Sequence, residues 1–196
     1  MPPKSVARLG LVLTLATAAA CQGDGATAPK AAPAAPSVRL EVVNPAVSAS
    51  VLTRTAPLDA DYTVSKNIGV LGGTISAPGG LKVTVPPMAV SRTTTFTITA
   101  LKGSIVAYEF GPHGTVFNVP LAMTQDLRGT SGAGMTSIST TEIGYFLDRT
   151  KLDYSTRSAS INEFLPASLS FSLTGTSLTY TVKHFSGYVI VTGRNP

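Results

Sequence analysis

From Tyr62 onward, apolar side chains alternate with polar ones, and this period of two constrains the fold more than any other feature of the chain. Successive side chains of a β-strand point to opposite faces, so each such run places one apolar face on a core and one hydroxyl-rich face in water. The alternation recurs in separate runs, which span residues 81–85, 95–99, 106–110, 169–173 and 178–182.

Glycine and proline clusters separate these runs at short intervals, at residues 72–73, 78–80, 86–87 and 111–114. Short strands divided by such turn signals are typical of a sandwich or barrel. With 43% hydrophobic and only 13% charged residues, the chain has enough apolar surface to fold. The sequence therefore predicts an all-β fold, an antiparallel β-sandwich over residues 62–196, because about 130 residues fill one such core.

Two segments depart from the alternation. Residues 128–141 are dominated by Ser, Thr and Gly, which predicts a long loop. Residues 160–164 are predicted as one or two turns of helix that Pro166 ends, since proline does not continue a helix.

The N-terminal residues 1–20 have the pattern of an export signal. Lys4 and Arg8 precede a short apolar run, residues 11–20, which ends in three alanines. Ten residues of helix span about 15 Å, half of a hydrocarbon core of roughly 30 Å. The segment is therefore predicted to be a signal peptide and not a stable membrane span.

Cys21 is the single cysteine of the chain and directly follows the three alanines. This arrangement resembles the lipobox of bacterial lipoproteins, in which the cysteine becomes the new N-terminus and carries lipid. The resemblance implies a membrane anchor at Cys21, and Gln22 in the next position implies the outer membrane. The alternative is that Cys21 is an incidental small residue beside an ordinary signal-peptidase site.

Residues 21–36 are predicted to form a lipidated cysteine and a flexible, semi-extended tether, because Ala and Pro dominate them and each proline fixes its own φ. Residues 37–61 are left as an uncertain approach to the domain, with a possible strand over residues 38–43. The body, residues 62–196, follows.

Four motifs in the body occur in an order that resembles the ZU-five domain, the module named after zonula occludens and uncoordinated-five proteins. They are Gly72-Gly73, Val85-Pro86-Pro87-Met88-Ala89, Gly111-Pro112-His113-Gly114 and His184-Phe185-Ser186-Gly187-Tyr188. Met88 departs from the pattern, which usually has glycine there. The resemblance covers about residues 62–193 and implies an antiparallel β-sandwich that acts as an interaction platform.

The tripeptide His184-Phe185-Ser186 carries the alternative function. In some relatives of the ZU-five domain the same tripeptide cleaves itself between Phe and Ser. Here the Ser186 hydroxyl would attack the Phe185 carbonyl, with His184 or His113 taking the proton. In the other interpretation Phe185 fills the core and Ser186 ends a strand.

Other chemistry has little support in the residues. His113 and His184 are the only histidines, and Asp59 and Asp61 lack the glycine and distal glutamate of a calcium loop, so no metal site is predicted. No hydrolase, phosphate-loop or dinucleotide motif is present, so no enzymatic activity and no cofactor are predicted. The formal charge of +5 is spread without basic runs, which argues against nucleic-acid binding.

These observations predict an exported envelope lipoprotein that presents one β-sandwich as a binding or structural module. The predicted partners are the membrane, through Cys21, and an envelope protein or a glycan. The alternatives are the self-cleaving domain and, third, an enzyme acting on an envelope polymer. That enzyme would need two carboxylates converging in a cleft, among ten Asp and Glu residues in all.

Overall fold

The computed structural model describes residues 46–172 and 175–195, and the predicted all-β, antiparallel class is confirmed in this part of the chain. The only helical element among these residues is a single 3₁₀ turn, Arg149–Lys151. The strands are β1 Val47–Val51, β2 Thr53–Leu58, β3 Tyr62–Ile68, β4 Gly73–Ala77, β5 Leu81–Val85, β6 Thr94–Ala100, β7 Gly103–Ile105, β8 Ala107–Gly111, β9 Val116–Asp126, β10 Glu142–Phe146, β11 Leu152–Asp153, β12 Ser158–Ile161, β13 Glu163–Ser172, β14 Gly175–His184 and β15 Gly187–Arg194.

The last strand, β15, is the centre of a thirteen-stranded antiparallel sheet. One edge of β15 pairs with β10. The other edge pairs with β8 through Gly187–Val189 and with β1 through Val191–Arg194. The C-terminal strand is therefore held by three neighbours, and the segment that leads into it is enclosed by the fold.

The sheet continues on both sides of β15 until its ends nearly meet. One arm runs through β8 and β6 to β3, and the other runs through β10, β13, β14, β9 and β5 to β4. Strand β13 pairs first with β10 and then with β14, so it joins the two halves of the sheet. At the remaining opening, Lys66 Nζ on β3 donates to the carbonyl of Thr74 on β4 at 2.7 Å.

Two hydrophobic clusters lie on opposite sides of β15, because alternate residues of that strand contribute to each. The larger cluster fills the space that the sheet encloses and contains Tyr188 and Ile190. The smaller cluster contains Val189 and Val191 and packs against β1 and β12. Because β15 is buried on both faces, its sequence is a nearly continuous apolar run.

Strands β1 and β2 lie within residues 37–61, the segment that the sequence left as an uncertain approach. Strand β1 pairs with β12 and β15, and β2 pairs with β7 in a separate two-stranded sheet. The signal peptide, Cys21, the tether and the possible strand over residues 38–43 lie outside the described residues.

The predicted helical turn over residues 160–164 is wrong. Residues 158–161 form β12, and β13 begins at Glu163. Ala159 and Ile161 are both buried, which is the spacing of a strand with one face on a core. Pro166 does not end a helix but lies in β13, opposite Glu142. The predicted loop over residues 128–141 is confirmed: β9 ends at Asp126 and β10 begins at Glu142.

Candidate functional site

The tripeptide His184-Phe185-Ser186 lies where the last two strands, β14 and β15, are connected. His184 ends β14, opposite Val116 of β9, and Gly187 begins β15. A Cβ atom on Gly187 would overlap the ring of Phe146, so the strand that follows Ser186 has to begin with glycine. The connection is therefore short and fixed at both ends by the sheet.

Phe185 anchors this connection in the larger core. Its side chain is fully buried, and its ring lies 4.7 Å from that of Phe117, 5.0 Å from that of Phe96 and 5.4 Å from that of Phe110, between centroids. The first two contacts are edge-to-face, an arrangement that aromatic rings favour. Filling the core is the role that the non-catalytic interpretation gave to Phe185.

The backbone of Phe185 is held by the turn that follows β8. Its N–H donates to the carbonyl of Thr115 at 2.9 Å, and its carbonyl accepts from the N–H of Gly114 at 3.0 Å. Gly114 has φ +76°, in the left-handed region that favours glycine, so the turn that supplies this N–H requires a residue tolerant of that conformation. The carbonyl that self-cleavage would attack thus already receives one hydrogen bond.

The hydroxyl of Ser186 lies against His113. Ser186 Oγ and His113 Nε2 are 3.1 Å apart, and Ser186 is 1% exposed. His113 lies in the turn between β8 and β9 and is exposed, so its ring connects a buried hydroxyl with the surface. The structure therefore brings together a hydroxyl and an imidazole that are 73 positions apart in the sequence.

His184 is turned toward other partners. The Tyr188 hydroxyl donates to the carbonyl of His184 at 2.8 Å and lies 3.3 Å from its Nδ1. The ring of Tyr145 contacts that of His184 edge-to-face, with centroids 5.6 Å apart. Burial raises the pKa of Tyr188, which keeps its hydroxyl a donor. Of the two histidines that the sequence offered as a base for Ser186, the structure brings His113 to it and not His184.

A second and larger site is an open cavity of about 800 Å³ at the surface, here called the Tyr154 cavity. Four separate parts of the chain form it: the end of β2, the connection from β6 to β7, the 3₁₀ turn and the β11–β12 turn. Its lining consists of Pro57, Asp59, Ala60, Asp61, Leu101, Lys102, Gly103, Ser104, Arg149 and Tyr154.

The ring of Tyr154 lies against Gly103 along one wall of the cavity. It lies so close to Gly103 that a Cβ atom there would be 2.9 Å from the ring, and Gly103 has φ +95°. Partial burial raises the pKa of Tyr154. The residue is nevertheless 41% exposed. An accessible aromatic ring in a cavity wall offers a flat apolar surface to a ligand.

The charged groups at the rim of the cavity are tied to one another and to the backbone. Asp61 accepts from the N–H of Lys102 at 2.8 Å and from Arg149 Nη1 at 2.8 Å, and these two bonds lower its pKa. Asp59 accepts from the hydroxyl of Tyr62 at 2.5 Å, which lowers its pKa as well. Both carboxylates are therefore held in the ionised form.

Arg54 was missed by the sequence interpretation, and it supports a wall of the cavity. Its side chain is buried, and Nη1 donates to the carbonyls of Leu101 and Gly103 at 3.3 Å each and to that of Ile105. Its guanidinium carbon also lies 5.7 Å from the centre of the Tyr108 ring. Nothing in the sequence distinguishes Arg54 from an exposed strand residue, because its acceptors are backbone atoms of a distant segment.

Within residues 46–172 and 175–195, no group of three or more His, Cys, Asp or Glu side chains is placed to hold a metal ion. Among the same residues, no helix is long and apolar enough to cross a membrane. Asp59 and Asp61, the pair considered for calcium, instead bond to Tyr62, Lys102 and Arg149.

No protein-family model matches the chain, and no curated protein matches it either.

Proposed function

We propose that this chain is an exported envelope lipoprotein, anchored through Cys21 in the outer membrane, whose ZU-five-like β body binds a partner in the Tyr154 cavity. The anchor is supported by the basic, apolar and small-residue order of residues 1–20 and by the position of the single cysteine. The binding function is supported by one observation above all: a preformed cavity of about 800 Å³ with an aromatic wall.

The size and composition of the cavity fit a binding site. Ligand sites in proteins typically enclose about 300–1,000 Å³, with apolar walls and a few fixed polar groups. Here Pro57 and Tyr154 supply apolar wall, and Asp61 and Arg149 supply polar groups held by hydrogen bonds. A preformed site of this kind loses little conformational entropy on binding.

The electrostatics of the cavity favour binding over catalysis. A general acid at neutral pH needs a carboxyl group whose pKa is raised, as burial in an apolar pocket does. Hydrogen bonds lower the pKa of both Asp59 and Asp61 instead. The two carboxylates that line the cavity therefore do not form an acid–base pair, which argues against the polymer-cleaving enzyme.

Filling the cavity is the experiment that tests the binding function. Ala60 lines the cavity and is exposed in the bend between β2 and β3, so Ala60→Trp fills the space without disturbing the core. In a Cys21→Ser background, which removes the anchor, we expect Ala60→Trp to reduce retention on isolated envelope material by at least about tenfold, or 1.4 kcal/mol.

Phe171→Ala is the matched control, because Phe171 is a 64% exposed aromatic residue that does not line the cavity. It should be retained like the Cys21→Ser chain. Equal retention of the Ala60→Trp chain, or no retention of the Cys21→Ser chain itself, would contradict the proposed function.

A second candidate function, self-cleavage between Phe185 and Ser186, is favoured by the 3.1 Å contact between Ser186 Oγ and His113 Nε2. In this reaction Ser186 Oγ attacks the Phe185 carbonyl carbon while His113 Nε2 takes the hydroxyl proton. The Gly114 N–H, 3.0 Å from the Phe185 oxygen, stabilises the developing negative charge. The C–N bond then breaks, the Ser186 nitrogen takes the proton from His113, and water opens the resulting ester.

The same contacts also serve a purely structural role, since they fix the entry of β15. No residue from His184 to Gly187 has a positive φ. The backbone around the Phe185–Ser186 peptide bond therefore lacks the strained left-handed conformation that would promote cleavage of this bond. This is why self-cleavage ranks second to the binding function.

The intact mass of the purified, denatured chain distinguishes the two roles. Self-cleavage predicts two fragments that separate after residue 185, and a single intact chain when Ser186 is replaced by alanine. His113→Ala should then slow cleavage more than His184→Ala does, because only His113 contacts the hydroxyl. A full-length mass for the native sequence would end this candidate and leave the hydrogen bond as a structural feature.

A further inference from the structure

We infer that the Tyr154 cavity binds a neutral sugar chain, with one sugar ring stacked on Tyr154 and its hydroxyl groups bonded to the charged rim. The inference rests on the proposed binding function and adds the chemical class of the ligand. Three properties of the cavity support it: its balanced charge, its accessible aromatic wall and its remaining hydrogen-bonding capacity.

The charge of the cavity is balanced and largely satisfied within the protein. Its lining contains two acidic residues, Asp59 and Asp61, and two basic ones, Lys102 and Arg149. Arg149 also bonds to Glu109, with Nε 3.2 Å from Oε1, and so carries two carboxylate partners. An anionic ligand would meet Asp59 and Asp61, and a cationic one would meet Lys102 and Arg149. A neutral ligand avoids both repulsions.

The wall formed by Tyr154 suits the apolar face of a sugar ring. Aromatic side chains present a large, rigid surface at low cost in conformational entropy, because they have only two rotatable side-chain bonds. The ring lies close over Gly103, where the missing Cβ leaves room for it. Pro57 extends the apolar wall.

The rim keeps polar groups available for ligand hydroxyls. An ionised carboxylate offers about four acceptor positions. Asp61 uses two of them, for Lys102 N–H and Arg149 Nη1, and still lines the cavity. Ser104 and Lys102 also line the cavity. The Ser104 hydroxyl can donate and accept hydrogen bonds, and the Lys102 ammonium group can donate them. A purely apolar ligand would leave these groups desolvated without partners, whereas a polyhydroxylated ring bonds to them.

A protein side chain is the competing occupant, and the balanced polar rim disfavours it. Hydrophobic anchors of protein partners bury best where the surrounding groups are apolar and desolvated. Here ionised groups surround the opening, and each would lose water against an apolar partner surface. The sugar chain therefore fits the cavity better than an apolar peptide.

The test measures binding of defined oligosaccharides to the full-length chain in detergent by calorimetry and by saturation-transfer NMR. The probes are two neutral sugars, cellohexaose and chitohexaose, and one anionic sugar, an oligogalacturonate of the same length. We expect saturable binding of at least one neutral probe, a weaker response to the anionic probe, and little change in Kd with salt, because no net charge is involved.

Variants of Tyr154 localise the binding. Tyr154→Ala should raise Kd for the neutral probe by about tenfold through loss of the stacking surface. Tyr154→Phe keeps the ring and should bind within about twofold of the native chain, and the control Phe171→Ala should bind unchanged. The rescue by Tyr154→Phe separates ring stacking from any effect of Tyr154 on folding.

Absence of saturable binding to both neutral probes overturns the inference, as does a preference for the anionic probe or equal binding by Tyr154→Ala. The proposed function is judged separately. If Ala60→Trp abolishes retention on envelope material while no sugar binds, the cavity is a binding site for a protein and only the sugar inference fails. If Ala60→Trp has no effect on retention, the proposed function itself fails.

Discussion

Replacing Phe185 with alanine is expected to lower the free energy of unfolding by about 3–5 kcal/mol, the usual cost of truncating a fully buried phenylalanine. The ring contacts Phe96, Phe110 and Phe117, and no solvent reaches it, so the substitution leaves a cavity at the centre of the larger core. Domains of this size are typically stable by only about 5–15 kcal/mol, so a large part of the total would be lost.

Urea unfolding followed by tyrosine fluorescence measures this loss, since the chain has six tyrosines and no tryptophan. Phe171→Ala removes the same side chain from a 64% exposed position and should change stability by no more than about 0.5 kcal/mol. If the two variants were equally stable, Phe185 would not have the structural role that its packing indicates.

Replacing Cys21 with serine is expected to abolish lipid attachment completely, so that only the association with envelope material through the Tyr154 cavity remains. A serine hydroxyl cannot form the thioether that carries the lipid. One acyl chain gives only marginal membrane binding, whereas two or more give a lasting anchor. The expected change is therefore close to all-or-none.

Labelled palmitate and cell fractionation measure this change together. The native chain should carry label and sediment with membranes. The Cys21→Ser chain should carry no label, and with Ala60→Trp added it should no longer sediment with membranes. Thr27→Ser, a conservative change in the same tether region, should behave like the native chain. An unlabelled native chain, or a Cys21→Ser chain that still carries label, would contradict the lipid anchor.

Short-range patterns predicted the strands well because a strand's alternation is local. The run over residues 81–85 became β5, and the run over residues 178–182 lies within β14. The helical turn predicted at 160–164 failed because Pro166 was interpreted as a helix stop, whereas tertiary pairing with β10 placed it in a strand. Tertiary packing overrode the local conformational preference of this segment, as is common for β-strands.

The sites were less predictable because their parts come from distant segments. The motifs Gly111–Gly114 and His184–Tyr188 were both visible in the sequence, but only the pairing of β8 with β15 brings His113 to Ser186. The Tyr154 cavity gave no sequence signal at all. Its walls come from residues 57–61, 101–104, 149 and 154, and none of these carries a motif.

Hydrogen–deuterium exchange of the Cys21→Ser chain, with and without envelope material, tests most directly whether the Tyr154 cavity is the binding site. We expect slower exchange over residues 57–61, 101–104 and 149–154, which contain the lining of the cavity, and no change over residues 166–172 of β13, none of which lines it. Slower exchange confined to β13, or no change over the cavity walls when envelope material is bound, would contradict it.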